Sequence, residues 1–167
     1  FNCYDAQGIE QAGLAGGKML TRINYADAGT VATLQASARA IDELAERKLM
    51  AMVEPFISVG SAENVRNVLT ADAVIKSIPI ASGLGRTSAY TWLKLPCVAE
   101  MERVMEATTL PSLILGGEVS NDPDAALQSW GNALRLPNVL GLVIGRSLLF
   151  PVGDDVAQAV DETVGLL

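Results

Sequence analysis

The sequence predicts a parallel α/β fold: one domain, residues 1–167, forming the C-terminal five βα units of a (β/α)8 barrel. Three observations lead there. Short apolar runs alternate five times with longer stretches whose apolar residues recur every three or four positions. The short runs are apolar throughout, as strands are when both faces are covered. Polar residues and glycines gather at their C-terminal ends, at Glu54, Lys94, Gly116-Gly117 and Gly145-Arg146. An open five-stranded sheet satisfies the first two. The third favours a barrel, whose active sites collect at the C-terminal strand ends, with phosphate held after strands seven and eight. Counting back from Gly145-Arg146 as the end of strand eight makes the Lys94 run the sixth, the Glu54 run the fifth and Lys18 to Asn24 the fourth. A closed barrel needs eight units and about 250 residues, so three units lie outside this chain on that reading. The start at Phe1, without an initiator Met, is read as processing or truncation.

Each element has a local reason. A first helix, Ala6 to Ala15, is closed by Gly16-Gly17, and the strand Lys18 to Asn24 follows. From Thr30 to Lys48, Val31, Leu34, Ala38, Ile41 and Leu44 fall on one helical face. Leu49 to Glu54 is the second strand, stopped by Pro55. Thr70 is an N-cap for a helix to about Ser82, which Pro79 should kink or end. The run Ala89 to Leu95 carries Lys94. A helix from Val98 to Ala107 turns Val98, Met101, Val104 and Met105 inward. Pro111 to Leu115 is the fourth strand. Asp122-Pro123 starts a helix, cap then proline, with Leu127, Trp130 and Leu134 as its buried stripe. Val139 to Ile144 is the fifth strand. The last helix starts at Asp154 and buries Val156, Val160 and Val164.

Half of the 167 residues are hydrophobic and 19% are charged, enough for a sizeable core and too apolar for disorder. The net charge of −7 argues against a nucleic-acid partner. No segment has the length of a membrane span, and no signal peptide is visible. The two cysteines, Cys3 and Cys97, read as reduced thiols of a cytoplasmic protein. There is no histidine, so no metal site is expected and acid–base work falls to Glu, Asp, Lys, Tyr or water.

Lys94 is the residue out of place, a cation among Trp92, Leu93 and Leu95. An apolar barrel mouth favours the free amine that attacks a carbonyl. A strand-end lysine that snorkels to water explains the same pattern. Glu54 either moves protons or pairs structurally with Lys94 or Arg22. Of Thr21 and Arg22, adjacent on a strand, only one can face the barrel interior. Glycines at 116, 117 and 145 let backbone approach a phosphate, and Arg146 adds a charged fork.

The runs Gly16-Gly17-Lys18-Met19-Leu20-Thr21, Met52-Val53-Glu54-Pro55, Trp92-Leu93-Lys94, Gly116-Gly117 and Gly145-Arg146 resemble the class I (Schiff-base) aldolase superfamily. That group includes the tagatose-bisphosphate, deoxyribose-phosphate and archaeal-type fructose-bisphosphate aldolases. Glu54-Pro55-Phe56, Ile80 to Gly85 and Thr87 to Pro96 are similar to an actinobacterial family of (β/α)8 proteins found with inositol catabolism genes. The resemblance implies a cofactor-free lyase that cleaves a phosphorylated sugar or keto acid. Lys94 would form the imine, Glu54 would move protons, and both glycine signals would hold phosphate. The aldolases carry a second lysine on strand four, where the resemblance sets Thr21. Two other readings remain: a sugar-phosphate barrel that forms no imine, such as an isomerase or degenerate homologue, and a piece inactive alone. The unpaired outer edges at Lys18 to Asn24 and Val139 to Ile144 call for cover, by N-terminal barrel units or another copy.

Overall fold

A computed structural model describes residues 4–61, 63–117, 119–120 and 122–167. The elements are α1 (Ala6–Gln11), β1 (Gly16–Ile23), α2 (Gly29–Glu46), β2 (Met50–Val59), β3 (Arg66–Asn67), α3 (Ala71–Ser82), β4 (Thr91–Pro96), α4 (Met101–Met105), β5 (Ser112–Leu115), α5 (Pro123–Leu134), β6 (Val139–Val143), α6 (Arg146–Leu149) and α7 (Val156–Val164). The five longer strands lie parallel in the order β1-β2-β4-β5-β6, and the two-residue β3 pairs antiparallel with the end of β2. This is the predicted βα progression. Among the described residues, β1 and β6 each pair on one side only.

Strand alternation separates two faces. Met19, Ala51, Val53, Leu93, Leu95 and Ile114 join the core with Ile41 and Leu44 of α2, Val74 and Ile78 of α3, Val104 of α4 and Trp130 of α5. Lys18, Leu20 and Arg22 of β1, Glu54 and Phe56 of β2, and Lys94 of β4 line a cavity on the opposite face. Helix starts follow their caps. Thr70 accepts from the Ala73 amide, and Asp122 accepts from the Ala125 amide ahead of Pro123. No described helix is long and apolar enough to cross a membrane.

Several boundaries differ from the sequence reading. Gly16 and Gly17 do not close α1; they begin β1. A Cβ on Gly16 would stand 2.1 Å from the Met50 carbonyl oxygen and one on Gly17 2.8 Å from Ile9 Cδ1, so Gly16 permits close strand approach and Gly17 close packing of α1. Pro55 does not end β2, which runs on to Val59. The Ala51 amide donates toward β4, to the Tyr90 carbonyl, and two-residue alternation places proline's missing donor on that side. There the β2–β4 ladder has already stopped at Val53. Glu54 and Lys94 therefore sit within their strands rather than at the ends. Pro79 is accommodated inside α3.

The stretch after β2 holds β3, and Arg146 opens the short α6, neither of which the sequence reading contained. Helix α7 starts at Val156 with Asp155 as its cap. Val156, Val160 and Val164 are exposed rather than buried; the residue α7 buries is Thr163. Of the two cysteines, Cys3 lies outside the described residues.

Candidate active site

The site is built from alternate residues of three adjacent strands. Register pairs Leu20 with Glu54 and Lys18 with Met52, so Lys18 lies one inward-facing step below Glu54 on the neighbouring strand. Its long stem brings Nζ to 2.7 Å from Glu54 Oε2. From the other side, Lys94 Nζ stands 3.4 Å from Glu54 Oε1. One carboxylate thus bridges two amines, using a different oxygen for each. The Lys94 and Glu54 side chains are only 13% and 11% exposed, whereas Lys18 is 46% exposed. The inner pair is shielded from water, and Lys18 is its solvent-side partner. Such an arrangement can hold one amine beside a carbonyl and pass protons between nitrogen and oxygen without a histidine.

Lys18 is the residue that sequence reasoning missed. The lysine expected on this strand was set against Thr21, but Thr21 is fully buried on the helix side, its hydroxyl 3.0 Å from Ser37 Oγ in α2. The inward set on β1 is 18, 20 and 22. Reading Gly16-Gly17 as a helix end hid this, since Lys18 then became the first strand residue and its facing was undefined. Arg22 does face the cavity, but it is not Glu54's partner. Its Nε donates to Asn67 Oδ1 at 3.4 Å.

The two glycine signals meet at the ends of β5 and β6, where Leu115 pairs with Val143. Arg146 Nη2 donates to the Gly117 carbonyl at 3.0 Å. Gly117 has φ +72°, in the left-handed region that favours glycine. At Gly116 a Cβ would come within 2.7 Å of Ile144 Cγ2, so a side chain there would force these strand ends apart. Gly145 has open space around it and precedes α6. Lys18, Glu54, Lys94, Gly116, Gly117, Gly145 and Arg146 all line one open cavity of about 1020 Å³.

Cys97, directly after β4, is on the same wall. Its Sγ lies 3.1 Å from Ser129 Oγ. Burial pushes this thiol above its usual range, and the Ser129 hydrogen bond opposes that in part.

Comparison with known proteins follows the same architecture. The crystal structure of Cgl0159 from Corynebacterium glutamicum (Brevibacterium flavum) superposes with a TM-score of 0.94 at 52% identity, over 98% of this chain and 55% of that one. A Schiff-base-forming fructose-1,6-bisphosphate aldolase superposes at 0.79 with 17% identity, over 99% of this chain and 62% of that one. A fructose-bisphosphate aldolase from Slackia heliotrinireducens gives 0.68 at 12% identity, over 97% and 58%. The chain therefore spans little more than half the length of these proteins. The aldolase likenesses establish the barrel-type fold. No curated protein matches the chain. A profile of the family described as Cgl0159-like matches residues 1–164, and with half-identity to Cgl0159 along almost its whole length the chain belongs to that family.

Proposed function

We propose that this chain carries the imine-forming part of a class I aldolase acting on a phosphorylated sugar or keto acid. The observation that carries the reading is the Glu54 carboxylate bridging Lys94 and Lys18, in the cavity that also holds the Gly117–Arg146 contact. Lys94 Nζ, as free amine, adds to the substrate ketone carbon. The carbonyl oxygen takes a proton from the attacking nitrogen and becomes the hydroxyl of a carbinolamine; a second proton, from a neighbouring acid, lets it leave as water and gives a protonated imine. A base takes the proton from the hydroxyl on the far carbon of the bond to be cleaved, two carbons from the imine carbon. That bond then breaks, its electron pair flows to the imine nitrogen, and an aldehyde departs. Protonation of the enamine and hydrolysis return the amine. Glu54, ion-paired with both amines, exchanges protons with Lys94, and Lys18 returns them to Glu54. The turns at Gly116-Gly117 and Gly145-Arg146 hold the phosphate through backbone amides and the guanidinium. The Schiff-base-forming aldolase supports this reading by its fold.

A second reading rests on the same ion pair. If Glu54 keeps Lys94 charged throughout, the cavity binds a sugar phosphate without forming an imine. Borohydride reduction separates the two. The chain, alone and joined to the part of its 52% identical relative that it does not span, is incubated with a ketose phosphate and borohydride, then digested and mapped. A reduced adduct on Lys94, lost in Lys94→Met, is expected from the joined protein. An active joined protein with no adduct, or an adduct on Lys18 alone, would overturn the assignment. The joined protein is used because the proposal includes cover for the outer edges of β1 and β6 by further barrel units. The chain alone is expected to be inactive.

A further inference from the structure

One buried polar contact stands apart from the site chemistry. Thr21 of β1 and Ser37 of α2 are both fully buried on the helix side of the sheet, with their hydroxyl oxygens 3.0 Å apart. Their surroundings are apolar. Met19 and Ile23 flank Thr21 on the same face of β1, and α2 also buries Ile41 and Leu44. Among the described residues neither hydroxyl has another hydrogen-bond partner. Two hydroxyls in an apolar layer are a poor source of stability, because apolar isosteres at both positions are nearly neutral or better. A lone buried hydroxyl is costly, so the pair is tolerated only where the two side chains meet.

That meeting selects a register. Among the described residues β1 is an edge strand, paired only with β2 from Gly16 to Ile23. Its backbone bonds are the same whichever side chains they carry, so the ladder alone does not prevent slip. Slip by one residue would turn Lys18 to the helix side. Slip by two would keep its facing but move it about 6.6 Å along the strand. Its contact with Glu54 Oε2 is 2.7 Å. A side chain in the place of Gly17 would meet Ile9 Cδ1 at 2.8 Å, which blocks the direction that moves Met19 there. Thr21 blocks both directions. Either one sets Met19 or Ile23 against Ser37 and leaves two buried hydroxyls unpaired.

We propose that Thr21 and Ser37 are positioning residues, whose hydroxyl pair locks β1 against α2 in the register that carries Lys18 to Glu54. Neither side chain lines the cavity, so both act through Lys18. Their effect on chemistry rests on Lys18 and Glu54 serving Lys94 as an imine-forming amine; their effect on the placement of Lys18 does not.

Competitive acetylation of the chain with trace acetic anhydride, mapped by mass spectrometry, reads that placement directly. The reference is Lys48, which is exposed and has no ion pair among the described residues. Lys18 is half-exposed, so its protection comes from Glu54, and it should label about threefold more slowly than Lys48. Glu54→Gln should abolish the difference. Thr21→Val combined with Ser37→Ala should melt near the wild-type temperature yet label Lys18 as fast as Lys48. Thr21→Ser, which keeps the hydroxyl, should retain the slow rate. A folded double variant with Lys18 still protected would overturn the proposal, as would a Thr21→Ser variant as fast as the double variant. A double variant that fails to fold would also overturn it, because the pair would then hold the core together rather than select a register. Wild-type Lys18 as fast as Lys48 would remove the placement itself. Borohydride trapping at Lys94 tests the imine separately: no adduct, with labelling as expected, overturns the aldolase reading and keeps the positioning pair.

Discussion

Replacing Glu54 by Gln keeps the shape of the side chain and removes the charge shared by Lys94 and Lys18. At 3.4 Å the Glu54–Lys94 attraction is about 5 kcal/mol gross at an effective dielectric of about 20. Desolvation of both groups offsets much of that, so the pair's net worth is smaller. Removing one partner is a different matter, because an almost buried ammonium is left without its counter-charge. Loss of a partner from a buried pair costs about 3–5 kcal/mol. Partial hydration through the open cavity lowers the expectation for Glu54→Gln to about 2–4 kcal/mol. The Lys18 pair contributes less, because a half-exposed lysine retains its water and such pairs are worth about 1 kcal/mol or below. Urea unfolding of wild type, Glu54→Gln, Lys94→Met and the double variant measures the coupling. In the Lys94→Met background, Glu54→Gln should cost only about 1 kcal/mol, leaving about 2 kcal/mol of coupling. Additive costs within about 0.5 kcal/mol would refute the view that Glu54 is tied mainly to Lys94.

Three further outcomes follow from the geometry. Gly16→Ala should destabilise the chain by about 2 kcal/mol or more, since its Cβ would overlap the Met50 carbonyl, while Gly145→Ala, in open space, should change stability by no more than about 0.5 kcal/mol; chemical denaturation compares them. Cys97 should alkylate with iodoacetamide more slowly than a free thiol near pH 8, with a rate profile displaced to higher pH. Because its native-state pKa is raised, any stability linked to the protonated thiol is present below the usual thiol range and declines as pH rises through the native value, so a Cys97→Ser variant should lose that alkaline slope. Native mass and scattering should find the chain associated, with itself or with further barrel units, since the outer edges of β1 and β6 are unpaired among the described residues; a stable monomer of 17.5 kDa would count against barrel completion.

How far the sequence reached depended on whether the controlling interactions were local. The βα alternation, the Thr70 and Asp122 caps, the proline after Asp122 and the glycine turns are decided within a few residues. They were legible for that reason. A charge inside an apolar run stands out against its own neighbours, which drew notice to Lys94 and Glu54; the structure pairs them at 3.4 Å, and their role is proposed. What the sequence left open was partnership. Glu54 had Lys94 and Arg22 as alternatives. Register selected Lys94 and added Lys18, a residue 36 positions away whose inward facing depends on where β1 begins. Pro55 read as a stop signal, but whether a missing amide matters depends on which neighbour it would have faced, and the β2–β4 ladder had already ended. The α7 valines have helical spacing, and spacing cannot say whether another element lies over them. Individually, Arg22, Arg66 and Arg146 are ordinary strand-end and loop cations in an acidic chain. Only the strand pairing, parallel through the sheet and antiparallel at β3, puts them around one cavity with Lys94 on the middle strand, because long-range pairing, not local propensity, decides which distant side chains share a face.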